Sequence, residues 1–74
     1  MATRNETIFN ILKHRRCYKV RKGNVVTYSI NSLKFTVPGV ISKMIDDLVA
    51  KKAYVMLKQL IVVHKDHFNT NFGD

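Results

Sequence analysis

The chain has few of the residues that break regular structure or staple a small domain together. Its 74 residues include one proline, three glycines and a single cysteine, Cys17. A lone cysteine excludes an intramolecular disulfide, and no Cys/His set has the spacing of a zinc site, so we expect no metal and no cofactor. Such a short chain depends on dense packing or self-association, which makes a homodimer an expectation.

Long apolar runs are also missing. No stretch approaches the roughly 18 residues that cross a bilayer, and the start MATRNET has no apolar region of a secretory signal. We therefore predict an intracellular protein with no membrane partner. At 46% hydrophobic the composition is that of a folded globule, and residues 1–74 are long enough for one domain only.

Acidic residues are scarce, with five Asp and Glu against 13 Lys and Arg and a formal net charge of +8. Such a surplus attracts polyanions, nucleic acid first and acidic protein surfaces second. Nucleotide-binding loops and nucleophile motifs are absent, and the neighbouring Asp46 and Asp47 point in different directions on a helix. We expect a binding protein and not an enzyme.

The clearest structural pattern runs through residues 36–52, TVPGVISKMIDDLVAKK. Its apolar residues recur at spacings of three and four: Val37, Ile41, Met44, Ile45, Leu48 and Val49. This period predicts an amphipathic helix, and Pro38 suits its first helical position. A shorter helix is predicted over residues 5–14, behind a capping box formed by Thr3 and Glu6.

Between the two helices the period changes to two. This indicates a β-hairpin over residues 16–30 around the turn residues 22–24. We expect its core side to carry five side chains: Tyr18, Val20, Val26, Tyr28 and Ile30. Lys19, Arg21 and Thr27 would then lie on the open face.

Residues 53–57 fit both a continued helix and a strand, because no Gly or Pro ends the helix at residues 51–52. The branched run at residues 60–63 predicts a buried strand, and such a strand needs a neighbour, which we assign to residues 54–57. Residues 69–74 are polar and predict a mobile tail.

Residues 33–37 fit either a third short strand or one turn of helix. The predicted fold class is therefore α+β. It comprises a short N-terminal helix, a β-hairpin, a central amphipathic helix and a C-terminal strand or hairpin, with both helices on a small antiparallel sheet.

The densest functional signal is residues 13–24, KHRRCYKVRKGN, with six basic residues and no acidic one. We predict that these six contact phosphates: Lys13, Arg15, Arg16, Lys19, Arg21 and Lys22. Each neutralised phosphate releases counterions, and a guanidinium group can bind a phosphate through two parallel hydrogen bonds. The same charges also suit a helix end or a sheet edge. Tyr18 and Tyr28 fit either base stacking or the core.

Two further groups contain residue types that can bind metals or react chemically. One combines metal-ligand types without metal-site spacing, so we expect no metal there: His64, Asp66 and His67. The other is Cys17, whose thiolate Arg16 and Lys19 would favour electrostatically. A strand cysteine without a positioned base is more often a small core residue, however.

In residues 40–63 an apolar-Ser-x-apolar-apolar helix precedes two short apolar runs. The helix pattern is carried by six residues: Ile41, Ser42, Met44, Ile45, Leu48 and Val49. This arrangement resembles the recognition helix and wing of a winged helix-turn-helix domain, with residues 54–57 and 60–64 as the wing strands. The resemblance implies two major-groove contacts and one at the wing tip: Ser42, Lys43 and Lys58.

Charge and resemblance together predict a small nucleic-acid-binding protein with duplex DNA as the favoured ligand and a role in transcription regulation. The alternative is a small adaptor or inhibitor that docks on an acidic surface of a partner protein, possibly a nucleic-acid enzyme. In that case the charge would steer the encounter between the two proteins.

Overall fold

Helix α1, Arg4–Lys13, is the first element of the computed structural model, which describes residues 3–72. The Thr3 hydroxyl accepts a hydrogen bond from the Glu6 backbone N–H at 3.1 Å, so the predicted N-terminal cap is confirmed. A helix of ten residues is not stable alone in water. It is held by an apolar face that is buried in the core: Ile8, Phe9, Ile11 and Leu12.

Four strands follow in one antiparallel sheet with the order β1-β2-β3-β4. Their bounds are β1 Tyr18–Lys22, β2 Val25–Ile30, β3 Leu33–Pro38 and β4 Asn69–Asn71. The α+β class and the predicted hairpin are confirmed. Residues 33–37, for which the sequence allowed either a strand or a helical turn, belong to strand β3. The tail predicted from residue 69 is wrong for β4, which pairs with β3 through Asn69, Thr70 and Asn71. Residues 73–74 of that prediction lie outside the described residues.

Helix α2, Gly39–Ala50, is shorter than the predicted helix over residues 36–52. Pro38 occupies the N-cap position in extended conformation instead of the first helical position. The reason is strand pairing, because Thr36 and Val37 lie opposite Thr27 and Val26 in the sheet.

Helix α2 ends without glycine or a following proline. Lys52 takes the left-handed conformation (φ 56°) that glycine usually supplies at this place. Its N–H donates to the Val49 carbonyl at 3.0 Å, and the Ala53 N–H donates to the Leu48 carbonyl at 2.9 Å. These two hydrogen bonds form a Schellman motif, so a lysine ends the helix although no Gly or Pro stands at residues 51–52.

Helix α3, Tyr54–Val63, replaces both strands predicted at residues 54–57 and 60–63. Leu57 and Ile61 are one turn apart, and both are buried in the core. Helix α3 packs against α1 and α2, so tertiary contacts outweigh the strand preference of its branched residues. A 3₁₀ turn, Lys65–His67, then leads into β4. None of the helices among residues 3–72 is long and apolar enough to cross a membrane.

The β1–β2 hairpin has a register that differs from the predicted one. Lys22 pairs with Val25, so the turn contains only Gly23 and Asn24, with Gly23 at φ 65°. A three-residue turn would have placed Tyr18 and Val20 beside the core side chains of β2. The shorter turn shifts the register by one residue and reverses the faces of β1. Tyr18 and Val20 are therefore exposed, and the prediction that both lie in the core is wrong.

The core lies between one face of the sheet and the helices. Tyr28 stacks on Phe35 with ring centroids 5.2 Å apart, and Phe35 contacts the Phe68 ring at 5.5 Å. The Arg4 guanidinium on α1 donates to the backbone carbonyls of Lys65 and Phe68, which connects α1 to the segment before β4. Within residues 3–72 no helix covers the opposite face of the sheet, which we call the open face.

Candidate nucleic-acid interface

Strand β1 is an outer strand of the sheet, and all five of its side chains are exposed. Lys19 and Arg21 pair with Tyr28 and Val26, so they lie on the helical side of the sheet and not on the open face as predicted. Lys22 alternates with them and lies on the open face. The strand therefore presents positive charge on both sides of the sheet.

Six of the nine predicted contact residues lie along this border of the molecule. We call them the basic edge: Arg15, Arg16, Lys19, Arg21, Lys22 and Lys43. Arg15 and Arg16 are exposed in the turn that precedes β1. Lys43, on α2, lines the same surface cleft as Arg21.

The position of Arg21 depends on the backbone around the hairpin turn. Its Nε donates to the Gly23 carbonyl at 3.3 Å, and its Nη2 lies 3.3 Å from the place where a side chain on Gly39 would begin. The Gly39 N–H donates to the Asn24 carbonyl at 2.7 Å, which ties the start of α2 to the turn. A larger residue at position 39 would push the Arg21 guanidinium away from the helix.

Lys19 differs from its neighbours because its charge is already paired. Its Nζ lies 2.5 Å from Asp46 Oδ2 on α2, which joins the outer strand to the helical layer. The Tyr28 hydroxyl donates to Asp46 Oδ1 at 2.9 Å and accepts from Ser42 Oγ at 2.6 Å. Burial, opposed by the Ser42 hydrogen bond and reinforced by the Asp46 carboxylate, raises the pKa of Tyr28 above its ordinary value of 10.0.

Ser42 is a wrong prediction as a nucleic-acid contact. It is buried, and its hydroxyl is bonded to Tyr28 inside the core. The wing strands do not form either, and Lys58 lies in the middle of α3 instead of at a wing tip. Lys13 and Lys58 place their amino groups 4.7 and 4.9 Å from the centre of the Phe9 ring. Both therefore belong to the helical layer and not to the basic edge.

The open sheet face adds residues that the sequence reading missed. Lys34 pairs with Ser29 and Asn71 and alternates with the buried Phe35, so it lies on this face. The alternation in LKFTVP between Lys34 or Thr36 and the apolar positions was the signal that could have found it. Tyr18 is 67% exposed there, whereas Tyr28 is buried, so only Tyr18 is available for stacking.

Carboxylate side chains are confined to the helical layer of the described residues, whereas cations occur in both layers. Among residues 3–72 every carboxylate side chain lies on a helix or in the 3₁₀ turn: Glu6, Asp46, Asp47 and Asp66. In the same part of the chain the strands carry four cations: Lys19, Arg21, Lys22 and Lys34. The strands therefore carry positive charge only, with Lys22 and Lys34 on the open face.

Cys17 is partly buried against the core. Burial raises the pKa of its thiol above the ordinary value of 9.0, with Asp46 reinforcing that rise and the Ser29 backbone and Lys19 opposing it. The neighbouring cations therefore do not make it the reactive thiolate that the sequence left open. Across residues 3–72 no three His, Cys, Asp or Glu side chains come together as a possible metal site.

Comparisons of the chain with protein-family models, with curated proteins and with solved structures find no match. They add nothing for or against the winged helix-turn-helix resemblance, which stays a prediction. The function must be argued from the surface of the molecule.

Proposed function

We propose that the protein is a non-enzymatic nucleic-acid-binding protein whose basic edge and open sheet face contact the phosphate backbone. The observation that carries the proposal is the charge of the strands, which hold cations and no carboxylate over residues 3–72. A polyanion on the open sheet face therefore meets Lys22 and Lys34 and no strand carboxylate, whereas at the basic edge Asp46 already pairs with Lys19. Each phosphate that the polyanion places against a lysine or arginine releases counterions.

The geometry favours contact with the phosphate backbone of a nucleic acid over recognition of its base sequence. A recognition helix would need free polar side chains on its outer face, but Ser42 is buried and Asp46 and Asp47 bring negative charge to α2. The exposed β1 can instead lie along a duplex backbone. Tyr18 adds a flat ring that could stack on an unpaired base of a single strand. Duplex DNA remains the first ligand to test, with single-stranded DNA and RNA beside it.

The test is a titration of labelled duplex and single-stranded oligonucleotides by fluorescence anisotropy at 50 and 200 mM salt, two concentrations that differ about fourfold. We expect binding at the lower concentration and strong weakening at the higher one. The sheet variant replaces four exposed cations by alanine: Arg15, Arg16, Lys22 and Lys34. Lys19 and Arg21 are left intact because they also contact α2 and the hairpin turn.

A second variant provides a control with the same change in net charge on the helical layer. It replaces four exposed lysines by alanine: Lys51, Lys52, Lys58 and Lys65. We expect the sheet variant to lose at least about 100-fold in affinity for the polymer that binds, and the control to lose less than about fivefold. Equal losses in both variants would show that net charge alone attracts the polymer. Absence of binding by the wild type at low salt would refute the proposal.

The positive charge also suits a second candidate, the adaptor that docks on an acidic surface of a partner protein. A pull-down from lysate with and without nuclease separates the two functions. Retention of one stoichiometric protein after nuclease treatment would support the adaptor, whereas loss of all bound material would support nucleic acid as the ligand.

A further inference from the structure

Helix α3 is apolar on almost every side. Lys58 and Gln59 are the strongly polar residues of its sequence YVMLKQLIVV. Leu57 and Ile61 fill the core, yet the outer side of the helix is apolar too. A helix that is hydrophobic all round is normally buried on all sides, so α3 is only half covered by its own chain.

The uncovered side forms a stripe of five residues. We call it the α3 stripe: Val55, Met56, Gln59, Val62 and Val63. Its four apolar side chains are 72%, 59%, 56% and 73% exposed in that order. Positions 55, 59 and 62, like positions 56, 59 and 63, follow the three- and four-residue steps of a helix surface, so the stripe is one continuous contact face.

The stripe is symmetric about its only polar member. Val55 and Val63 lie four residues to either side of Gln59, and Met56 and Val62 lie three residues to either side. In two antiparallel copies of α3, Val55 of each copy would lie at the level of Val63 of the other, and Met56 at the level of Val62. The two Gln59 amides would meet at the axis, where each can donate to and accept from the other. This is the self-complementarity that a twofold interface requires.

The two flanks of the stripe differ in charge. The Lys58 ammonium lies 4.9 Å from the centre of the Phe9 ring on the α1 side, and the Lys58 side chain also borders the stripe beside Gln59 and Val62. On the other flank, a shallow apolar groove between α2 and α3 is lined by Met44, Leu48 and Leu60. Asp47 at this rim is paired with Lys51 at 3.0 Å. The charges of Asp47 and Lys51 therefore offset each other on the α2 flank, and Lys58 adds positive charge on the α1 flank.

The four apolar side chains of the α3 stripe are each more than half exposed. A specific interface needs about 1,000 Å² in total, which is about 500 Å² from each copy. That is about a tenth of the 5363 Å² exposed by the chain, the usual share for a small protein.

We propose that a second copy of this chain covers the α3 stripe, with the two α3 helices antiparallel and a twofold axis near Gln59. The stripe lies in the helical layer, so the dimer leaves both open sheet faces and both basic edges uncovered. The inference does not depend on nucleic-acid binding and can fail or succeed separately.

The first test is sedimentation equilibrium of the full chain from about 1 μM to 1 mM. We expect a monomer–dimer equilibrium within this range, since interfaces of this size are weak. Val62→Glu should raise the dimer dissociation constant at least tenfold, because a carboxylate would be buried against Met56 of the other copy. The control is Val40→Glu, since Val40 on α2 is 74% exposed and lies outside the stripe.

The second test is disulfide cross-linking in a Cys17→Ser background. Gln59→Cys should form an intermolecular disulfide on mild oxidation, because the two positions meet at the proposed axis. Val40→Cys should not. Circular dichroism melting checks that each variant folds. A monomer at every concentration would overturn the proposal, as would a dimer weakened equally by Val40→Glu or cross-linked equally through Val40→Cys. A different protein that binds the stripe more tightly than a second copy would overturn it as well.

Discussion

The basic edge and the α3 stripe are both exposed beyond what folding requires, but they differ in every other respect. The basic edge lies beside a flat antiparallel sheet and carries charge of one sign. The α3 stripe lies on the helical layer, is apolar and is symmetric about Gln59. The difference leads us to propose a different partner for each layer, a polyanion at the sheet and a second copy at the helices.

The largest expected effect comes from the core that joins the two surfaces. Phe35 is fully buried and contacts the rings of Tyr28 and Phe68. Phe35→Ala should lower the free energy of unfolding by about 3–5 kcal/mol, because it leaves a cavity between the sheet and the helices. Urea denaturation followed by circular dichroism measures this change. Val20→Ala on the open face should cost less than about 0.5 kcal/mol. Similar losses in both variants would contradict the assigned core.

Variants of Tyr18 test whether the sheet side prefers a single strand to a duplex. If its exposed ring stacks on a base, Tyr18→Ala should weaken single-strand binding by about 1–3 kcal/mol and duplex binding much less. Tyr18→Phe keeps the ring and should retain most of the affinity. Anisotropy titrations of both variants with both polymers give the answer. Equal losses for duplex and single strand would count against stacking.

Tyr28 tests the link between the outer strand and the helical layer. Tyr28→Phe removes the hydrogen bonds to Ser42 and Asp46 and should cost about 1–2 kcal/mol of unfolding free energy. The Asp46–Lys19 pair should remain, so nucleic-acid affinity should change little. Thermal denaturation and a DNA titration of the same variant check the two parts. A large loss of affinity with normal stability would place Tyr28 in the binding surface.

The same tyrosine and Cys17 predict how stability depends on pH. Burial raises the pKa of Tyr28 above 10.0 and that of the Cys17 thiol above 9.0. The folded protein therefore holds both protons to higher pH than the unfolded chain does. Their contribution to stability is fully present below about pH 9 and falls as the pH rises beyond it. Urea midpoints from pH 7 to 11 measure the slope, which should be flatter for a Tyr28→Phe, Cys17→Ser variant. An unchanged slope would contradict the assignment.

The smallest expected effect concerns the end of α2. Lys52 has a positive φ, which a residue with a side chain adopts at some cost. Lys52→Gly should raise the free energy of unfolding by about 0.5–1 kcal/mol, whereas Lys52→Ala should not. Chemical denaturation of the three proteins distinguishes them. If glycine destabilises the protein, the Schellman geometry at residues 51–53 is wrong.

The sequence predicted the parts of this structure that depend on local chemistry. The Thr3 cap, the period of α2 and the alternation in β2 all follow from side chains close together in the chain. Helix α3 was only one of two alternatives for residues 53–57, because the branched residues at 61–63 prefer strands. Contacts with α1 and α2 favour the helix along its whole length. The faces of β1 depended on a single residue in the turn, since a register shift by one reverses every side chain.

The candidate surface was predicted in its charge but not in its arrangement. The basic run at residues 13–22 contains most of the basic edge. In the structure, however, Lys19 pairs with Asp46, and Lys13 packs on the Phe9 ring. Lys34 was missed because it is distant in the chain from the basic run. Pairing with Ser29 brings it to the open face.

The most direct measurement for the central claim is the salt dependence of DNA affinity in the two four-residue alanine variants. Each phosphate contact contributes about 0.9 to the slope of log K against log salt concentration for a duplex. If the sheet side binds the backbone, the slope of the sheet variant should be smaller than that of the wild type by about 3–4, and the slope of the helical control should be unchanged. Equal reductions in both variants would contradict the account.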